Sequence, residues 1–166
     1  MSQKQTTSAS ADTPVRGTAQ QLGHLVLYVG DLQRSMAFYA DILGWPVGQV
    51  ASQFPAVLFR ASHIHHDLLL IEVGQHAAPI PPGRRVGMYH FGVKVGDSDD
   101  DLRAVLARIQ AHPGIAIVEG AVDCGFLHSL YVHDPDDNEV ELYIDVPGWD
   151  WTGADLLGAP RRQLQL

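Results

Sequence analysis

The chain is poor in cysteine, with Cys124 alone among 166 residues. No intrachain disulfide can form, and a reducing, cytoplasmic setting is the expected compartment. It is also poor in positive charge, with 11 Lys and Arg against 19 Asp and Glu and a formal net charge of −8. No basic stripe is available to neutralise phosphates, which excludes nucleic acid and anionic membrane surfaces as partners. The opening MSQKQTTSASADTPVRGTAQ has neither the apolar core of a signal peptide nor the roughly 18 apolar residues of a membrane span. It reads as a disordered or loosely docked tail over residues 1–20.

What is present is a core's worth of apolar residues and a repeat. A hydrophobic content of 46% over this length is enough for one compact domain. GHLVLYVGD at 23–31 is echoed sixty-six positions later by YHFGVKVGD, each with a histidine at the head of an alternating apolar run. A helical stripe follows each. Leu32, Ser35, Met36, Tyr39 and Leu43 precede Gly44, and Leu102, Val105, Leu106 and Ile109 precede Pro113-Gly114. Short strands come next, over 46–51, 56–61 and 67–73 in the first half and 115–119, 127–133 and 139–145 in the second. The expected class is therefore α+β, with two βαβββ modules at 22–76 and 87–146 inside a single domain spanning 21–146, and an extension at 147–166.

Period-two alternation separates two faces. Leu25, Leu27, Val29, Phe91, Val93, Val95, Val140, Leu142 and Ile144 form an apolar set suited to packing on helices. The opposite face carries His24, Tyr28, His90, Lys94, Glu141, Tyr143 and Asp145, too polar for a second core and suited to lining a wet cavity. Either histidine alone would read as a hydrogen-bonded strand end. Together, at matching places of a repeat and with Glu141 on their face, His24 and His90 have the composition of a facial triad, which suits Fe(II), Mn(II), Zn(II) or Ni(II). If DPDDN at 134–138 is a hairpin loop, Tyr131 faces Glu141 across the strands.

With those residues in place, the chain resembles the vicinal-oxygen-chelate superfamily of glyoxalase I, extradiol dioxygenases and fosfomycin- and bleomycin-resistance proteins. GHLVLYVGDLQRSMAFYADILGW and SLYVHDPDDNEVELYID look like its opening and closing signatures. The resemblance implies that the modules curl into a cupped, incomplete mixed β-barrel with the helices outside, that His24, His90 and Glu141 hold the metal, and that the protein is a homodimer. HIHHDLLLIEVG at 63–74 discriminates among activities. His65-His66 resemble the histidine pair of extradiol dioxygenases, in which the second imidazole is an acid/base, and Tyr131 occupies the place of a substrate-orienting tyrosine. That implies an Fe(II)-dependent, catechol 2,3-type dioxygenase acting on a small aromatic substrate with O2. The alternative is a glyoxalase I-like lyase or isomerase in which Glu72 is a fourth ligand; it sits 48 residues after His24, much as Glu141 sits 51 after His90. A third reading is a metal-free binding or resistance protein. One departure is Asp123-Cys124-Gly125, where relatives often carry a histidine donor that cysteine cannot replace; a buried cysteine also serves as a small apolar filler.

Other signals are structural. HIHHD is out of register for a binuclear metallohydrolase, and Asp134, Asp136 and Asn138 have calcium-loop spacing but lack its glycine and flanking helices. Ser98 followed by three aspartates reads as a helix N-terminus. His63, His76, His112, His128 and His133 read as surface or rim residues, and Trp149 and Trp151 as caps on the core or a dimer contact.

Overall fold

The computed structural model describes residues 17, 19, 21–62, 64–150, 152 and 155–166. The expected tail, His63 and Trp151 lie outside the described residues, apart from Gly17 and Ala19. In module one, β1 (Leu25–Val29) leads into α1 (Leu32–Met36), followed by β2 (Val47–Val50), β3 (Ala56–Phe59) and β4 (Leu68–Glu72). In module two, β5 (His90–Gly96) leads into α2 (Asp99–Ala111), then β6 (Ile117–Asp123), β7 (Leu127–His133) and β8 (Glu139–Asp145); a short β9 (Arg162–Gln163) follows. The sheets have orders β1-β4-β3-β2 and β5-β8-β7-β6-β9. In each module the first and last strands pair in parallel and the remaining pairs are antiparallel. The sequence repeat is thus a repeat of topology.

Local chemistry sets the boundaries. At α2, the Asp101 carboxylate accepts the backbone N–H of Asp97 and Ser98 and the Ser98 hydroxyl, satisfying donors at the helix start. The first helix widens after Met36 into a π-helical segment over Ala37–Ile42, where the Leu43 N–H reaches back to Phe38 O at 3.0 Å. The wider turn lets Phe38, Tyr39 and Ile42 all be fully buried. Strand β6 begins two residues later than the expected 115–119 and runs to Asp123. Its interior Gly120, which reads as a breaker in sequence, lies at φ 156° beside a register shift between Val118 and Gly120. This is a bulge inside the strand rather than its end.

One core spans both modules, uniting Leu27, Val29, Phe38 and Leu70 with Leu102, Val105, Leu130 and Leu142. The expected apolar faces are the ones that face it. The β7–β8 turn locks the halves together. Tyr39 OH donates to Asp134 at 2.7 Å, while Asp136 accepts the Gly30 N–H at 2.9 Å and the Ser35 hydroxyl at 3.1 Å. Those carboxylates are committed to packing the modules, as a turn rather than a calcium loop. Among the described residues no helix is long and apolar enough to cross a membrane.

Candidate metal centre

His24 stands immediately before β1 and shares its outward face with Val26 and Tyr28, which are 43% and 71% exposed. The loop before β4 turns back onto it because Asp67 accepts the N–H of Ala61 and Ser62 and, at 2.6 Å, the Ser62 hydroxyl. These bonds outweigh burial and hold the Asp67 carboxyl below its ordinary range. The loop delivers His66 to 4.3 Å from the His24 ring and His65 to 5.4 Å, measured between centroids. Nitrogens of His24, His65 and His66 all lie within 4.8 Å of one another. Partial burial, then the neighbouring His24 and His65, push the His66 pKa down, so the ring is neutral at neutral pH.

The second sheet builds a complementary group. Parallel pairing of β5 and β8 sets Gly92 beside Glu141 and His90 beside Glu139. One carboxylate oxygen of Glu141, Oε1, accepts both the Ser129 hydroxyl and the Tyr131 phenol at 2.7 Å. The other, Oε2, faces His90 Nε2 at 3.3 Å. Two hydrogen bonds therefore aim the carboxylate, leaving a free oxygen opposite a free imidazole nitrogen, an arrangement that suits a shared divalent cation. His90 Nδ1 is buried without a hydrogen-bond partner; its nearest carboxylate, Glu139, is at 3.7 Å. Burial, then the bond to Glu141 and its charge, push the Tyr131 pKa up to about 12, so the phenol keeps its proton.

All five residues expected at the site lie on these two outward faces, in two groups. His66 joins His24, and Tyr131 joins His90 and Glu141. The three expected ligands do not converge within one chain: the described residues whose potential ligand atoms meet in threes within 4.8 Å are His24, His65 and His66, and separately Glu119, His133 and Glu139. Glu72 does not belong to the site. It pairs in register with Val29, on the face of Leu68 and Leu70 that packs on the helices, and its carboxylate accepts the Leu32 N–H at 2.8 Å at the start of α1. The β4 residues that share the outward face are Leu69 and Ile71, partners of Val26 and Tyr28, and neither is a ligand. Which face of β4 looks outward is decided by its pairing with β1.

Two contributors escaped the sequence reading. Ser129 was legible, two residues before Tyr131 on an alternating strand. Arg161 was not, because it reaches the site through the pairing of β9 with β6. It donates to Tyr131 OH at 3.0 Å. Cys124 is buried and its thiol pKa is raised chiefly by burial, as an apolar filler requires. His128 packs at the α2 N-terminus, 2.6 Å from Asp99. Trp149 lies near Phe126, ring centroids 6.1 Å apart.

Residues 21–142 match the profile of the Glyoxalase/Bleomycin resistance protein/Dioxygenase superfamily. The chain belongs to this superfamily. It is 32% identical over 130 residues to a catechol-2,3-dioxygenase of Bacillus subtilis (strain 168), an alignment covering 78% of this chain and 43% of that protein. It therefore spans under half the length of that relative. It is also 31% identical over 128 residues to a lactoylglutathione lyase of Haemophilus influenzae, covering 74% of this chain and 90% of the lyase. A glyoxylase/bleomycin resistance protein/dioxygenase domain from Frankia sp. EAN1pec superposes with a TM-score of 0.63 at 20% identity, covering 77% of this chain and 99% of that one, a likeness of fold. The superfamily fold is thus established for this chain, and members carry out several chemistries on it.

Proposed function

We propose that the protein is a metal-dependent extradiol-type dioxygenase that opens a catechol-like ring with O2, using Fe(II) held by His24, His90 and Glu141. The observation that carries this reading is the aimed pair of donors, Glu141 Oε2 and His90 Nε2 at 3.3 Å, together with His66 against His24. Bound Fe(II) would supply a Lewis acid that pairs a diol with dioxygen and eases loss of a phenolic proton. The chain's own residues do the rest. His66, neutral at neutral pH, is poised to take a proton from a hydroxyl brought beside His24. Tyr131 keeps its proton and, through Glu141, holds the carboxylate in one orientation. Its hydroxyl, beside Glu141, is also placed to orient a substrate oxygen.

The set is completed in a homodimer. Within one chain, His24 lies on one exposed face and His90 with Glu141 on another. A two-fold pairing that lays the first sheet's outward face over the second sheet of a partner joins them twice. Val26, Tyr28 and Tyr89 supply exposed apolar surface for that pairing, with Tyr89 70% exposed. The lyase reading loses its fourth ligand because Glu72 is engaged at α1. A metal-free binding role leaves the two hydrogen bonds that aim Glu141 without a purpose.

The test is oxygen uptake by iron-loaded protein with a panel of catechols. Ring opening beside the hydroxyls is expected, and iron-loaded protein that consumes no oxygen with any diol overturns the reading. Complementation tests the assembly. His24→Ala and Glu141→Ala should each be inactive, and refolding them together should restore about a quarter of wild-type activity, since mixed dimers keep one intact site. No restoration overturns the shared-site assembly.

A further inference from the structure

The C-terminal strand carries a cation to the candidate site. Arg161, beyond the residues matched by the superfamily profile, immediately precedes β9, which pairs Arg162 with Asp123 and Gln163 with Val122 on β6. Leu164 and Leu166 on the same strand end pack against the core, so the segment is held in place rather than trailing. Its guanidinium carbon lies 5.7 Å from the centroid of the Tyr131 ring, and Nη2 donates to the phenol oxygen at 3.0 Å. Tyr131 in turn donates to Glu141, so a continuous chain of hydrogen bonds links Arg161 to the metal-facing carboxylate.

Arg161 also lines a cavity of about 230 Å3 with Tyr89, Glu119, Tyr131 and Glu139. The cavity's carboxylates face histidines: Glu119 lies 2.9 Å from His133 Nε2, and Glu139 lies 3.7 Å from His90 Nδ1. Arg161 forms no ion pair among the described residues, and it is exposed. A guanidinium offers five N–H donors in a planar fork, and only the bond to Tyr131 is used here. The remaining donors, on the lining of a cavity large enough for a small aromatic ring, match an incoming carboxylate bidentately.

We infer that Arg161 is a specificity residue that binds a carboxylate carried by the substrate, so that the preferred substrates are aromatic diols bearing an acidic substituent. The inference rests on the proposed ring-cleavage reading for the diol and on the Arg161 geometry alone for the carboxylate.

Calorimetric titration of the full-length, Fe(II)-loaded protein under anaerobic conditions tests it, with 3,4-dihydroxybenzoate, its neutral amide 3,4-dihydroxybenzamide, and catechol as probes. Wild type should bind the carboxylate at least about 10-fold more tightly than the amide or catechol. Arg161→Gln should level the three, and Arg161→Lys should keep part of the preference. Equal binding of carboxylate and amide by wild type, or a preference that survives Arg161→Gln, overturns the inference. Should Arg161→Gln fail to fold, the wild-type comparison of 3,4-dihydroxybenzoate with 3,4-dihydroxybenzamide, read beside Arg161→Lys, still decides. Oxygen uptake run in parallel separates the two ideas. A preference abolished by Arg161→Gln with no oxygen consumed keeps the carboxylate position and removes ring cleavage; ring cleavage without any preference does the reverse.

Discussion

The phenol of Tyr131 and the carboxylate of Glu141 meet at 2.7 Å across β7 and β8, where the two residues are direct partners in the ladder. Ser129 reaches the same oxygen from the same face. The far oxygen is thereby turned toward His90, and this relationship gives the second module a donor pair prepared before any metal arrives.

If that preparation matters, Tyr131→Phe should leave the protein folded but weaken metal binding or turnover by about 10- to 100-fold. Glu141→Ala should remove tight metal binding altogether. Metal titration with a competing chromophoric chelator measures both, and Tyr131→Phe binding metal and turning over as wild type does would refute the orienting role.

His66 is assigned to proton transfer rather than to ligation. His66→Asn should retain close to one metal per site while kcat falls about 100- to 10,000-fold. Metal analysis of the purified variant beside its rate of oxygen uptake separates the two functions. Loss of the metal would move His66 into the ligand set.

Glu72 makes the opposite prediction. Its carboxylate satisfies the Leu32 N–H at the start of α1, where a negative charge also meets the positive end of the helix. Glu72→Ala should lower unfolding stability by about 1 kcal/mol, the usual size of a lost N-terminal cap, with metal content unchanged. Urea denaturation and metal analysis on the same preparation test it; a normal stability with lost metal would restore the four-ligand reading.

His133 provides a pH signature. Burial opposes its charged form, but Glu119 at 2.9 Å and Asp137 at 3.0 Å prevail and raise its pKa above the ordinary 6.5. A raised pKa in the folded state means that the folded protein binds the proton more tightly than the unfolded chain. The resulting stabilisation is complete below about pH 6.5 and is lost as pH climbs through the folded value. Urea midpoints taken from about pH 6 to about pH 9 should therefore fall more steeply for wild type than for His133→Gln. Parallel curves would remove His133 as the cause.

Much was legible in the chain because the relevant physics is local. The alternation at 25–29, 91–95 and 140–144 determined which face of each strand is apolar, and burial of Leu27, Val29, Val93, Val140, Leu142 and Ile144 follows it. The spacing across DPDDN determined the β7–β8 register, and with it the meeting of Tyr131 and Glu141. The histidine-led repeat determined two equivalent modules. Tertiary structure decided what depends on pairing between distant segments. Glu72 alternates in step with Leu68 and Leu70, and only parallel pairing of β4 with β1 turns that set toward the helices, while His66, in the loop before the strand, sits against His24. Arg161 reaches Tyr131 because β9 joins a sheet edge some forty residues upstream, a contact with no periodicity to announce it. The separation of His24 from His90 and Glu141 was likewise beyond alternation, which orders side chains along a strand but cannot say how one sheet lies against another.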